Sequence, residues 1–149
     1  MTPKVDTITI AVDDLDKSVA FYRDGLGLPT EGIIGTEFKG DDVSPAGAIA
    51  FFKLQNNLTL GLYPRTELPK DANRPAGTPN DVEFSLAHFV NTKEEVNALL
   101  ARAERAGGTI TGKPHDRPWG IYSGYFQDLD GHLWEIICSL EQSGEGQTS

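Results

Sequence analysis

The chain says the same thing twice. Thr7-Ile8-Thr9-Ile10-Ala11-Val12-Asp13-Asp14 is answered by Ser85-Leu86-Ala87-His88-Phe89-Val90-Asn91-Thr92 at an offset of 78. The segment from Phe51 to Leu62 is answered without a gap by Tyr125 to Ile136 at an offset of 74. Two copies of one strand–helix–hairpin unit imply two half-sheets, each with an apolar face to bury. The repeat also assigns pseudo-equivalent positions: Thr7 with Ser85, and Gly61 with Glu135. Of these four, only Glu135 ionises at neutral pH.

The local pattern fills in the unit. In residues 5–12, Ile8, Ile10 and Val12 alternate with Thr7, Thr9 and Ala11, which suits a half-buried strand. Asp13-Asp14 offers an N-cap, and Leu15, Val19, Tyr22 and Leu26 recur at helical spacing before Gly25 and Gly27. The Gly-rich, acidic stretch 31–47 reads as a weak strand with a loop, and residues 48–54 and 58–63 as a hairpin across Gln55-Asn56-Asn57. Module 1 therefore spans 5–63. Residues 64–81 carry Pro64, Pro69, Pro75 and Pro79 and read as a linker without a regular element.

Module 2 spans 82–140. Thr92 and Glu95 have capping-box spacing, and Val96, Leu99, Leu100 and Ala103 make an apolar stripe that Gly107-Gly108 ends. Residues 109–113 read as a short strand, 114–120 as a loop, and 121–127 with 133–139 as strands joined at Asp128-Leu129-Asp130-Gly131. Residues 141–149 read as a flexible polar tail, leaving 1–140 as one domain.

Composition excludes several classes of function. Hydrophobic content of 38% with 23% charged residues belongs to a globular chain, and no apolar run reaches the ~20 residues of a spanning helix. A net charge of −9 argues against nucleic acid, which asks for a basic face. The N-terminus shows no charged leader ahead of an apolar stretch, and the one cysteine, Cys138, sits in an apolar strand as a core residue. Both point to a cytoplasmic protein. The sequence has no P-loop, dinucleotide fingerprint or evident Ser-His-Asp set.

Val12-x-Asp14-Leu15-x-x-Ser18-x-x-Phe21-Tyr22 with Leu26-Gly27, and Asp128-x-Asp130-Gly131-His132-Leu133-Trp134-Glu135, carry a resemblance. Over residues 5–140 the chain resembles the glyoxalase/bleomycin-resistance/dioxygenase superfamily, also called vicinal oxygen chelate. Leu86-Ala87-His88 and the run Trp119-Gly120-x-Tyr122-Ser123-Gly124-Tyr125-Phe126 are similar to a glyoxalase-like subgroup. The resemblance implies an α+β fold: two tandem βαβββ modules forming a cupped mixed β-sheet with helices on the outside and a ligand in the cup. It also implies a homodimer. Metal-dependent members chelate a divalent cation from positions that fall here on Thr7, Gly61, Ser85 and Glu135. One carboxylate and two hydroxyls bring too little charge for a tight site, so no cofactor is expected. A weakly held divalent metal is the alternative.

The remaining candidates follow from parity. His88 shares the parity of Leu86 and Val90 and is expected in the core behind the sheet. His132 reads as a turn residue, and His115 as a loop residue near Trp119. Phe21, Tyr22 and Trp134 are expected to pack behind the sheet. Phe89, Trp119 and Tyr122 are better placed to line a pocket with Thr7 and Ser85. Glu135 is the candidate for catalysis, because a carboxylate in an apolar cup suits general acid–base work. Two functions stand side by side. One is a metal-independent small-molecule binding protein of the glyoxalase/bleomycin-resistance type. The other is a lyase, isomerase or dioxygenase using Glu135, with or without a weakly bound metal. The residues leave open whether any reaction is catalysed.

Overall fold

The two halves pair their first and last strands in the same register. In the first, β1 (Thr7–Val12) runs parallel to β4 (Thr59–Pro64) with Thr7 opposite Thr59 and Ile10 opposite Leu62. In the second, β5 (Ser85–Phe89) runs parallel to β8 (Leu133–Ser139) with Ser85 opposite Leu133 and His88 opposite Ile136. The sequence offsets thus map one register onto the other, and the duplication holds at the level of hydrogen-bonded partners. The computed structural model describes residues 1, 3–75 and 84–141. The chain divides into two units, Met1–Thr78 and Pro79–Ser149. Each is a four-stranded mixed sheet with helical elements, so the fold is α+β and built of two βαβββ modules.

In the first unit the sheet order is β1-β4-β3-β2, with β2 at Thr30–Ile34 and β3 at Ile49–Lys53. The helix α1 (Leu15–Ala20) starts on Asp14, whose carboxylate accepts the Lys17 N–H at 3.0 Å. It runs on through a π-helical turn, Phe21–Gly25, and Gly27 takes the positive φ that follows. The helix side of the sheet buries Ile10, Val12, Ala50, Phe52, Leu60 and Leu62 against Val19 and Tyr22, with the Tyr22 and Phe52 rings 5.9 Å apart. The region from Pro64 departs from the structureless linker expected. Pro64 closes β4, and Leu68–Asp71 form a short helix, α2. A proline in the first turn of a helix loses only an N–H that had no partner there, so Pro69 does not prevent it. The rest of the expected linker, 76–81, and the start of module 2 at 82 lie outside the described residues, as does the tail from 142 onward.

In the second unit the order is β5-β8-β7-β6. The helix α3 (Lys93–Arg105) begins in a full capping box: Thr92 Oγ1 accepts the Glu95 N–H, and Glu95 accepts the Thr92 N–H, at 3.1 and 3.0 Å. Its Val96, Leu100 and Ala103 are buried. β7 (Ile121–Gln127) and β8 meet at the Asp128 turn, where the buried Asp128 carboxylate accepts the Asp130 and His132 N–H groups at 2.9 Å. His132 is the turn residue expected. β6 (Thr109–Arg117) is longer than the sequence suggested, because it takes in Pro114 to Arg117, which read as loop. It is the edge strand, where a proline removes no needed donor, and it is irregular on both sides of Gly112.

The helix-facing pair Leu62 and Ile136 is buried in both modules, as pseudo-symmetry requires. Val12 and Val90 match less well. Val12 is buried, whereas Val90 falls just past β5 and is half-buried. His88, expected in the core, is exposed. Both lie on or just past β5, the edge strand, while α3 packs chiefly on β7, β6 and β8. Among the described residues no helix is long and apolar enough to cross a membrane.

Helix and sheet come close at Gly124. A Cβ there would lie 2.7 Å from Leu100 Cδ1 and 2.9 Å from the Gly112 carbonyl oxygen. Gly124→Ala should therefore cost about 1–3 kcal/mol. Gly61→Ala, whose Cβ would meet nothing nearer than 3.2 Å, should cost less. Urea denaturation midpoints of the two variants check the order.

Candidate functional site

Strand parity decides which side chains can share a site with Glu135. In β7, Tyr122, Gly124 and Phe126 face α3, as the contact of Gly124 with Leu100 and the burial of Phe126 show. Ile121, Ser123, Tyr125 and Gln127 therefore face the other way. Tyr125 is opposite Glu135, and Glu135 is opposite Ala87. The side of this sheet away from the helix thus carries Ser85 and Phe89 from β5, Glu135 from β8, Ser123 and Tyr125 from β7, and His115 and Arg117 from β6.

These residues form one polar network. Arg117 Nη1 donates to Ser123 Oγ at 3.3 Å, and Ser123 Oγ donates to Glu135 Oε2 at 2.9 Å. Tyr125 stands directly opposite Glu135 across the β7–β8 pair, near enough for the carboxylate to act on its phenol. Ser123 is 0% exposed, so its hydroxyl has no water to fall back on and its direction is set by its two partners. The Arg117 guanidinium lies 4.7 Å from the centroid of the Trp119 ring. The Tyr125 phenol is held above its ordinary pKa. Burial is the largest cause, followed by the Glu135 hydrogen bond and charge, with Arg117 opposing them.

Of the residues expected from sequence, Glu135, Ser85 and Phe89 share this face. Ser85 is exposed, and Phe89 is 74% exposed, so neither lines an enclosed wall within this unit. Trp119 sits in the β6–β7 turn, 64% exposed, joined to the network through Arg117. Tyr122 is a correction. Expected beside the pocket, it faces the helix instead, donates to Asn97 Oδ1 at 2.6 Å and lies under the Lys93 ammonium, 5.1 Å from the ring centroid. Counting by two from Glu135's partner Tyr125 reaches Ser123 and skips Tyr122. Thr7 belongs to the first unit. There it lies exposed on the side away from α1, the side that also carries Gly61. A Cβ at Gly61 would lie 3.2 Å from Thr9 Oγ1 and 3.3 Å from the Phe51 ring.

Sequence reasoning missed Ser123, Tyr125 and Arg117. The first two had a usable signal, the period-two step along β7. Arg117 had none, because its segment read as loop. His115 also lies on the strand, opposite Ser123, with its ring Nδ1 3.0 Å from the Lys113 carbonyl oxygen. Trp134 packs behind the sheet as expected, parallel to Phe126 with 6.0 Å between centroids. Cys138 is buried in the same layer, and burial pushes its thiol pKa up.

The donor set does not fit a resident divalent metal. Its four positions supply Thr7 and Gly61 in one unit and Ser85 and Glu135 in the other, a single carboxylate in all. That carboxylate already accepts the Ser123 hydroxyl. Among the described residues, no group of three His, Cys, Asp or Glu side chains gathers to hold an ion. What the arrangement offers is a carboxylate held by a serine hydroxyl, a protonated phenol beside it, and an arginine lying on an indole.

The Tyr125 shift can be tested directly. Its folded pKa is raised, so its contribution to stability is fully present below the free phenol value of about 10 and is lost as pH climbs through the shifted value. Glu135→Gln should bring the Tyr125 transition down, and Arg117→Gln should take it further up. Difference absorbance titration against Tyr125→Phe reads both.

A family model, that of the Glyoxalase/Bleomycin resistance protein/Dioxygenase superfamily, matches residues 4–136. No curated protein matches the chain significantly. Among solved structures, the chain is similar to a glyoxalase-related enzyme from Fulvimarina pelagi, at 28% identity and a TM-score of 0.73, over 92% of this chain and 88% of that one. It is similar to a lactoylglutathione lyase from Agrobacterium tumefaciens at 25% identity and a TM-score of 0.64, over 92% and 94% of the two chains. A genomically encoded fosfomycin resistance protein, FosX, from Listeria monocytogenes shares the fold, with 20% identity, a TM-score of 0.65 and coverage of 93% and 95%.

Proposed function

We propose that this chain, which belongs to the glyoxalase/bleomycin resistance protein/dioxygenase superfamily, is a small-molecule binding protein that works without a resident metal and uses Glu135 as its polar anchor. One observation carries the reading. Each β7 and β8 member of the network has an apolar counterpart at the equivalent position of module 1: Ile49 for Ser123, Phe51 for Tyr125 and Gly61 for Glu135. The same strands in the same register therefore form without any of these polar groups. The fold does not need the network, and a half-buried carboxylate with one hydroxyl donor is an arrangement that costs desolvation unless something uses it. A ligand that donates a hydrogen bond or carries positive charge would use it.

A second reading, proton transfer of the lyase or isomerase kind, is favoured by the Tyr125 phenol, which stays protonated beside the carboxylate. Glu135 would take a proton from carbon, and Tyr125 would donate a hydrogen bond to the oxyanion that forms. A homodimer, a cytoplasmic location and a small molecule as the only partner besides a second copy complete the proposal.

Glu135→Gln should leave the urea midpoint within about 1 kcal/mol of wild type, since the amide can keep one acceptor for Ser123. It should weaken the tightest ligand found in a thermal-shift panel of small cationic and hydrogen-bond-donating compounds by about tenfold or more. The same affinity should survive treatment with a chelator. Binding that depends on one metal per chain by elemental analysis would refute the metal-free reading, and turnover of any ligand abolished by Tyr125→Phe would favour the second.

A further inference from the structure

We propose that Arg117 and Trp119 form an anion-reading arm beside Glu135, so that the small molecule bound on this face carries a carboxylate or similar oxyanion on a flat apolar body. The inference rests on the reading of this face as the ligand face and adds the chemical class.

The argument begins with the cations of the chain. Of its thirteen lysines and arginines, four are half-buried: Arg65, Lys70, Lys93 and Arg117. Arg65 has Asp13 at 2.7 Å, Lys70 has Glu67 at 3.3 Å and Lys93 has Asp116 at 3.0 Å. Among the described residues Arg117 has no carboxylate at that range, and the side-chain hydrogen bond it makes there is the 3.3 Å contact to Ser123. Acids are plentiful, 22 against 13 basic residues, and Asp116 is the adjacent residue in sequence, yet it points to the other side and pairs with Lys93. A guanidinium has five N–H donors in a planar fork matched to an oxyanion, and here most remain available.

The second observation is Trp119. Its exposure is not looseness. The turn is closed by the Gly120 N–H on the Arg117 carbonyl at 3.1 Å and by the Leu140 N–H on the Gly120 carbonyl at 3.0 Å. Gly120 takes the positive φ of 85° that the three-residue turn needs. A large aromatic surface is thus held out beside a guanidinium already oriented by the ring. Arg117 ends the edge strand, Trp119 stands in the turn that follows it, and Glu135 lies two strands further in. Such a surface suits a ligand whose oxyanion meets Arg117, whose flat part rests near Trp119, and whose donor reaches Glu135.

Benzoate and its neutral isostere benzamide probe this with the full chain. Titrations followed on the Trp119 indole and Arg117 Nε–H signals in nitrogen-edited NMR should show benzoate binding roughly tenfold or more tightly than benzamide. Arg117→Gln should abolish that preference, and Arg117→Lys should keep only part of it, since charge remains and the fork is lost. Equal affinities for the two probes in wild type, no benzoate binding, or a preference unchanged in folded Arg117→Gln overturns the proposal. If Arg117→Gln does not fold, the wild-type comparison and Arg117→Lys decide, an undiminished preference in the lysine variant counting against the fork. Glu135→Gln separates the two readings. A benzoate preference that persists while no ligand in the panel depends on Glu135 sinks the proposed function and leaves the anion arm standing.

Discussion

Everything about the candidate site hangs on the register of one parallel pair. In each module the first strand lies beside the last, Thr7 opposite Thr59 and Ser85 opposite Leu133. A slip of one residue would send every side chain of the strand to the other face. At the observed register Glu135 has Ala87 on one side and Tyr125 on the other, and the apolar series Trp134, Ile136 and Cys138 turns toward α3. Hydrophobic burial behind the sheet fixes the register, and the register fixes the site. The polar network contributes little to that choice, because module 1 adopts the same pairing without it.

The network's own energetics are those of charges kept apart by a hydroxyl. Glu135 and Arg117 do not touch; Ser123 accepts from Arg117 and donates to Glu135. A direct pair would satisfy both ions and leave little for a third party. Interposing a buried serine orients both groups while leaving the arginine most of its donors. Tyr125 stands opposite the carboxylate on the adjacent strand, and its raised pKa keeps the phenol protonated across the neutral range. The face is therefore preorganised at the cost of partial desolvation, a state suited to recognition.

The repeat, the module order and most strands were legible in the sequence because period-two alternation and turn residues act locally. The capping box at Thr92 and the Asp128 turn read the same way. Three failures have physical causes. Pro69 and Pro114 read as breakers in sequence, but one sits in a first helical turn and the other on an edge strand, where a missing N–H is tolerated. His88 was placed in the core by parity alone, and parity names a face without saying whether a helix covers it. Tyr122 was assigned by its nearness to Trp119 in sequence, although the strand begins between them and parity then governs. Arg117 was invisible for the same reason as the end of β6: a loop has no parity from which to aim a side chain.

The duplication supplies an internal control for which residues answer to the fold. Across the helix-facing side the equivalent pairs stay apolar or small: Ala50 with Gly124, Phe52 with Phe126, Leu60 with Trp134, Leu62 with Ile136. Across the opposite side they diverge in kind, Ile49 against Ser123, Phe51 against Tyr125 and Gly61 against Glu135. Packing against a helix penalises any change of polarity, whereas a face without that helix is free to change. Random drift on such a face would scatter polar residues singly. Here these three fall together on two adjacent strands, Ser123 donating to Glu135 and Tyr125 standing directly opposite it. Three changes that are each unfavourable alone become tolerable only as a set, and a set of that kind is what retention for recognition on one module would leave behind.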